Sequence, residues 1–242
     1  RLSELEPELA KQLSHGLFFP DSCQVQDPYQ LCLQLYSALT QRGGGFLQQQ
    51  VIHLHTLENG VEITFTGESK TFDRVIVCTG AWSTELLKAV GLSVPLEAER
   101  GYHLSYHDKP VQLNHPITSA ERRFVMSSLQ SEVRVVGITE LGGLVLPAIH
   151  RRFNTLRHHS RALLPALKDP SLEVSEWMGH RPTLPDSLPV IDHHPLHPQL
   201  MFAFGNQHLG LTQAAISAEI AICLLQGKPH PIDRTPFRVD RF

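Results

Sequence analysis

The sequence predicts a mixed α/β (α+β) fold in which a layer of strand, glycine turn and helix is interleaved with a largely antiparallel sheet. Three observations carry this. A continuous apolar run from Val75 to Cys78 ends at Thr79-Gly80 and leads into a helical stretch, the order of an α/β layer. The same order returns in "LMFAFGNQHLGLT", ahead of an apolar helical run. Between the two, from Pro95 to about Trp177, segments such as "RGYHLSY" and "VRVVGIT" read as antiparallel strands.

Taken in order, "RLSELEPELAKQLSHG" reads as a helix already in progress. Asp27-Pro28 supplies an N-cap and a first-turn proline for a helix with apolar residues at Leu31, Leu35, Ala38 and Leu39 and glycines at its exit. "VIHLHTL" and "VEITFT" alternate around Glu58-Asn59-Gly60, which predicts a β-hairpin. Val75 to Cys78 reads as a strand covered on both faces. Ser83 is positioned to cap a short helix from Thr84 to Val90 that stops at Gly91. One helical stretch interrupts the antiparallel region near residues 151 to 164. The last predicted helix runs from about Thr212 to Gln226 and closes at Gly227-Lys228-Pro229.

The totals remove several functions. With 21 Lys+Arg against 24 Asp+Glu and no long basic run, the chain lacks the electrostatic footprint of a nucleic-acid binder. The C-terminal apolar run is broken by Gln213, Ser217 and Glu219, so no integral membrane segment is expected. No signal peptide opens the chain, and Cys23, Cys32, Cys78 and Cys223 show neither zinc spacing nor disulfide density, which points to a reducing cytoplasm. His193, His194 and His197 in "DHHPLHP", and the pair His158-His159, lack the HExxH or Cys/His spacing of a metal site, so no metal is expected.

The residues that carry chemistry cluster at turns. "FGNQHLGLT" ends a strand at Gly205, turns through Gly210 and feeds a helix, leaving backbone N–H groups aimed outward at the positive end of the helix dipole. Such a pole suits a phosphate or the electron-rich edge of a reduced flavin, although a plain strand-to-helix turn explains the glycines equally well. Thr79-Gly80-Ala81-Trp82 is a second turn of this kind. In an open α/β sheet, ligands sit beyond the C-terminal ends of the strands, so two such turns can line one crevice. Arg181, the lone arginine of "EWMGHRPTLPDSLPVID", sits among Pro182, Pro185 and Pro189 in what reads as a stiff loop. Its guanidinium is suited to grip a carboxylate with two parallel bonds, and a plain ion pair is the competing reading. Tyr102 and His103 are successive strand residues, so at most one of them faces a given cavity, and simple packing of both is the competing reading.

Read in order, "LEPEL", "HGLFFPD", "FDRVIVCTGAWS", "ERGYHLSY", "WMGHRPTLPDSLPVID", "FAFGNQHLGLTQAA" and the closing "RF" resemble the C-terminal portion of FAD-dependent oxidoreductases of the D-amino-acid oxidase superfamily, in particular bacterial D-amino-acid dehydrogenases. The resemblance implies part of an FAD-binding Rossmann-like domain interleaved with a substrate domain. The segments so implied are 1–27 and 95–180 for the substrate domain, and 28–94 and 181–242 for the FAD domain. It implies FAD, bound non-covalently, as cofactor and a small amino acid as substrate, oxidised to an imino acid by hydride transfer to the flavin. Arg181 then binds the substrate carboxylate, while Tyr102 and His103 line the active site. Gly205, His208, Gly210, Leu211 and Thr212 meet the flavin, Thr79 and Gly80 form part of the FAD crevice, and the backbone of Val51 meets adenine.

Two departures from the family pattern stand out. Gly205-Asn206-Gln207-His208 replaces a Gly-His-Gly-His type of sequence. The family's opening GxGxxG, which needs a βαβ unit, is missing, so the chain reads as the distal part of a longer enzyme that binds FAD weakly or not at all by itself. Two rival readings are oxidation of a 2-hydroxy acid and a non-catalytic chain that binds a partner polypeptide; a homo-oligomer is compatible with either.

Overall fold

The computed structural model describes residues 2–13, 15–108 and 111–242. They divide into two compact units: unit 1 combines the described residues up to Phe46 with Gly101–Glu140 and Pro147–Gly179, and unit 2 combines Leu47–Arg100, Leu141–Leu146 and His180–Phe242.

Unit 2 holds the two predicted glycine turns. Its first sheet is an antiparallel meander of β1 (Val51–Leu57), β2 (Gly60–Phe65) and β3 (Glu68–Phe72). The β1–β2 hairpin is the predicted one, with Leu57 opposite Gly60 across the turn. The third strand, "ESKTF", is exposed along its whole length and so has no apolar alternation by which to be read. The second sheet has the order β10 (Val190–His193), β11 (Leu200–Phe204), β4 (Val75–Val77). β11 runs antiparallel to β10 and parallel to β4.

β11 is covered on both faces. Leu200, Phe202 and Phe204 enter a core with Leu54, Val61, Val77, Leu87 and Val190. Met201, on the other face, packs with Ile191 against Ile220 and Ala221 of α5 (Gly210–Leu225). β4 differs from the prediction: Val77 is buried but Ile76 and Cys78 are exposed. β4 lies at the edge of its sheet, with a strand neighbour on one side only. A 3-10 turn (Gly80–Trp82) joins β4 to α3 (Ser83–Ala89). Ser83 does not cap that helix; its Oγ lies 3.0 Å from Thr79 Oγ1, because the 3-10 turn has moved the helix start up to Ser83 itself.

Unit 1 is built on the five-stranded sheet of order β6 (Ile117–Ser119), β7 (Phe124–Ser128), β8 (Glu132–Leu141), β5 (Glu97–His107), β9 (Val174–Thr183). It takes most of β8 together with Gly101–His107 of β5 and Val174–Gly179 of β9. The predicted interrupting helix is α4 (His150–Leu163). Its Phe153, Leu156 and Leu163 pack on Tyr102, Leu104, Tyr106, Met126, Val133 and Val135. At the N-terminus the helix in progress is limited to α1 (Leu2–Leu5), since Pro7 cannot extend it with an intrahelical bond; Arg1 and Ser14 of that segment lie outside the described residues.

α2 (Pro28–Gln41) begins as predicted, with Asp27 Oδ1 accepting from the Gln30 N–H at 3.0 Å. No residue of it is buried, and Leu33, Leu35, Tyr36 and Leu39 are exposed. In denaturant unfolding, Leu35→Gln with Leu39→Gln is expected to change stability by less than about 0.5 kcal/mol. Phe202→Ala is expected to cost about 3–5 kcal/mol; equal effects of the two changes contradict this packing.

Candidate active site

The site grows from one pairing. Parallel β4 and β11 are in register with Leu200 opposite Val75 and Phe202 opposite Val77. β4 ends at Val77 and β11 at Phe204, so the turns at Gly80 and Gly205 follow the same end of two neighbouring parallel strands. Both chains reverse there in the left-handed region, with φ +55° at Gly80 and +90° at Gly205, a conformation that glycine adopts without strain. Around Gly80 no atom stands within 4 Å of where a Cβ would be, whereas at Gly205 a Cβ would lie 2.6 Å from Leu184 Cδ1. The first turn is open to an approaching ligand; the second is closely packed on its inner side.

After Gly205 the backbone N–H of Leu209 donates to Asn206 O at 2.9 Å, and α5 starts at Gly210 with no side-chain cap. Gly210, Leu211 and Thr212 are all exposed. The first turn of a helix has no intrahelical acceptors for its N–H groups, so α5 presents donors and a positive dipole end beside Gly205. Asn206 is held from behind, its Nδ2 donating to Gln213 Oε1 at 2.9 Å. His208 is exposed. Val51 opens β1 in the same unit, partly buried against the core, with a bulge between it and His53.

Arg181 is on a strand, not in a loop. β9 tolerates Pro182 because it is an edge strand near its end, where a missing N–H breaks no ladder. The strand end is tied to both turns. The Gln207 N–H donates to Pro182 O at 3.1 Å, and Trp82 packs edge-on against His180 at 5.5 Å. The residues on either side of Arg181 therefore contact the two turns. Its Nη1 lies 3.2 Å from Glu99 Oε1, both side chains being roughly three-quarters covered (24% and 20% exposed). Glu99 Oε2 also accepts from Thr183 Oγ1 at 3.4 Å. Among the described residues, Arg181 Nε and Nη2 make no such contact. Glu99 was not singled out by the sequence reading; its side-by-side placement with Arg181 comes from cross-strand pairing, which local alternation in "LEAERGY" does not reveal.

Tyr102 and His103 belong to unit 1 and point to opposite faces of β5, as strand geometry requires. Tyr102 is fully buried in the core, its OH donating to Glu140 Oε2 at 2.6 Å and accepting from the Ile149 N–H at 3.3 Å. His103 stacks on Trp177 at 4.8 Å with 19° between the rings. A Cβ at Gly179 would collide with that indole, so the glycine lets the ring lie along the strand. Burial, reinforced by the Arg134 charge and opposed by Glu132, pushes the His103 pKa down to about 4.

Other conspicuous residues have structural work. His194 is buried; its Nδ1 accepts from the Leu196 and His197 N–H groups, so its Nε2 donates to Val90 O at 3.0 Å. Arg241, in the closing "RF", forks onto Asp186 at 2.7 and 3.2 Å and holds Leu188 O. That contact keeps the Asp186 carboxyl below the usual carboxylate range.

His103 binds a proton more weakly folded than unfolded, so its contribution is complete above about pH 6.5 and is lost as pH falls toward about 4. NMR titration of the His103 ring is expected to show it still neutral at about pH 5.5; a midpoint at the ordinary histidine value contradicts the burial described.

The family model described as "FAD dependent oxidoreductase" (DAO) matches residues 1–224. A D-amino-acid oxidase of Bradyrhizobium diazoefficiens is 30% identical over 245 aligned residues, covering all of this chain and 58% of its own length. A D-amino acid dehydrogenase of Vibrio atlanticus is 29% identical over 240, covering 97% of this chain and 57% of its own length. The chain thus spans a little under three-fifths of these relatives. In fold it is similar to glycine oxidase from Geobacillus kaustophilus, with a TM-score of 0.88 at 23% identity over the whole chain and 65% of that protein. A match over residues 1–224, with a relative at 30% identity, makes the chain a member of the DAO family of FAD-dependent oxidoreductases.

Proposed function

We propose that this chain forms the flavin-facing and substrate-facing portion of an FAD-dependent dehydrogenase or oxidase of a small amino acid. The observation that carries the reading is that the turns at Gly80 and Gly205 follow the same end of neighbouring parallel β4 and β11, with uncapped α5 starting soon after the second. Ligands of open α/β sheets sit at this end of the strands. The residues are compatible with part of a flavin: no atom crowds the Cβ position of Gly80, and the first-turn amides of α5 suit an electron-rich ring edge.

Thr79, Gly80 and Gly205 hold the ring edge in this reading, with Gly210, Leu211 and Thr212 supplying donors and His208 beside them; Val51 meets the adenine end. FAD, when bound, accepts a hydride from the substrate Cα. Arg181 binds the substrate carboxylate through Nε and Nη2, the edge that Glu99 leaves open, and so orients Cα as well as anchoring it. Tyr102 holds the fold of unit 1 from within, and His103, neutral at physiological pH, stacks on Trp177 in the same unit. The chemistry is then one of positioning and preorganised donors more than of a strong base.

A second reading, association with further polypeptide, is favoured by α2, a 14-residue helix with none of its residues buried. An isolated helix of that length is marginal in water, and its apolar side chains gain from a partner. The Leu35→Gln, Leu39→Gln variant described above abolishes such association without loss of stability.

The test of the main reading uses the full-length enzyme of which this chain is proposed to be a portion, supplemented with FAD, and follows amino-acid-dependent bleaching of flavin absorbance. Arg181→Ala is expected to raise the apparent KM about 10- to 100-fold, as loss of a charged hydrogen-bond pair does; unchanged kinetics remove the assigned role.

A further inference from the structure

A cavity of about 570 Å³ lies wholly within unit 1, between α1, the segment around Phe18 and the start of β6. That volume is in the range of small-molecule pockets. Its walls are largely apolar, with Leu2 and Leu5 on one side and Leu17, Phe18, Phe19 and Ile117 on others. Leu17, Phe18 and Phe19 are 88%, 53% and 67% exposed. Three consecutive apolar side chains left to solvent form a surface that gains from being covered.

Glu6 and His115 line the same cavity and give it a polar side. The Glu6 carboxylate is 2% exposed, and each of its oxygens has a donor: the Asn114 N–H on Oε2 at 3.1 Å and His115 Nδ1 on Oε1 at 2.7 Å. An ionised carboxylate only accepts, so the imidazole proton sits on Nδ1 and Nε2 is left as an acceptor. Among the described residues Nε2 has no hydrogen-bond partner. The ring is held in place: Phe18 meets it edge-on at 5.2 Å, and Asn114 Nδ2 ties the same segment to Leu5 O at 2.7 Å. No lysine or arginine is among the described residues that line the cavity. An anionic ligand therefore meets the Glu6 charge with no fixed cation to offset it, and a cation has to reach a carboxylate that is closed to solvent. The ligand that suits these walls is neutral, with one hydrogen-bond donor on an apolar body.

We propose that this cavity binds a neutral aromatic hydroxyl compound, its ring against Leu17, Phe18, Phe19 and Ile117 and its O–H donating to His115 Nε2. Exposed phenylalanine rings favour an aromatic body, because aromatic pairs gain more than their buried area. Glu6 is the positioning residue, acting through the imidazole whose tautomer it fixes. None of these groups is assigned to flavin or amino acid, so this inference and the oxidoreductase reading stand or fall separately.

The experiment is an NMR titration of the 242-residue chain, read at the His115 ring nitrogens and the Phe18 ring, with 2-naphthol, naphthalene and 2-naphthoate, which share a ring body and differ in the polar group. Before any ligand is added, the ring nitrogens are expected to show the proton on Nδ1, a bias that a folded Glu6→Gln loses. 2-Naphthol is expected to saturate and to shift both residues. Naphthalene is expected to bind about 3- to 10-fold more weakly, the worth of one hydrogen bond, and 2-naphthoate more weakly than 2-naphthol. His115→Phe, which keeps a ring against Phe18 and removes the acceptor, is expected to bring 2-naphthol down to the affinity of naphthalene with naphthalene unchanged. Thermal unfolding shows whether each variant is folded; where one is not, the ranking of the three ligands in the native chain decides. The proposal is overturned by 2-naphthol leaving His115 unmoved, by equal affinities of 2-naphthol and naphthalene, by 2-naphthoate binding as tightly as 2-naphthol, or by a folded His115→Phe that keeps the hydroxyl preference. A proton on Nε2 in the native chain, or an unchanged tautomer in a folded Glu6→Gln, overturns the part assigned to Glu6.

Discussion

The parallel pairing of β4 with β11 is the constraint on which the candidate site depends. The two strands come from distant parts of the chain, and their parallel pairing, with Phe202 opposite Val77, puts the turns that follow them at the same end of the sheet. Alternation then divides the work of β11: Leu200, Phe202 and Phe204 hold one core, and Met201 holds α5 against the other face. The same strand that fixes the turn therefore fixes the helix whose first-turn amides stand beside it. A change in register moves every one of these side chains to the wrong face, so the geometry of the turn is secured by apolar burial and not by the turn itself.

Around this pairing, unit 2 adds contacts that immobilise the end of β9. Gln207 reaches back to Pro182, Trp82 lies against His180, and Glu99 holds Arg181. Further on, the Arg241–Asp186 fork closes the segment after the strand. A guanidinium held by a carboxylate loses less entropy on binding a second one, because its planar fork is already oriented. The proline-rich segment contributes by stiffness beyond the strand, while Arg181 itself is positioned by cross-strand pairing.

Legibility in the sequence followed the locality of the signal. The β1–β2 hairpin, the start of α2 and the glycine turns were readable because Asn59-Gly60, Asp27-Pro28, Gly80 and Gly205 each impose a local backbone conformation. The strand carrying Arg181 was not, because Pro182 argues against a strand unless that strand is known to lie at an edge. β3 has no buried face to mark it, and the cover over Ile76 and Cys78 was overestimated because an apolar run does not say whether the strand is central. The Glu99–Arg181 pair is beyond local reading for a plainer reason: it joins strands whose partnership is set by the whole sheet. Motif resemblance pointed to Arg181, Gly205 and Gly210, but it carried no information about the carboxylate that faces the arginine.

The central claim is that the turns after β4 and β11 act as one ligand-facing edge together with the start of α5. It is tested most directly by following the backbone amides of Gly80, Gly205 and Gly210 while the chain is titrated with lumiflavin, which carries the flavin ring without the pyrophosphate. The account predicts that all three signals shift together with a single saturation curve. Signals that move elsewhere while these stay fixed, or that give different affinities at Gly80 and Gly205, contradict it.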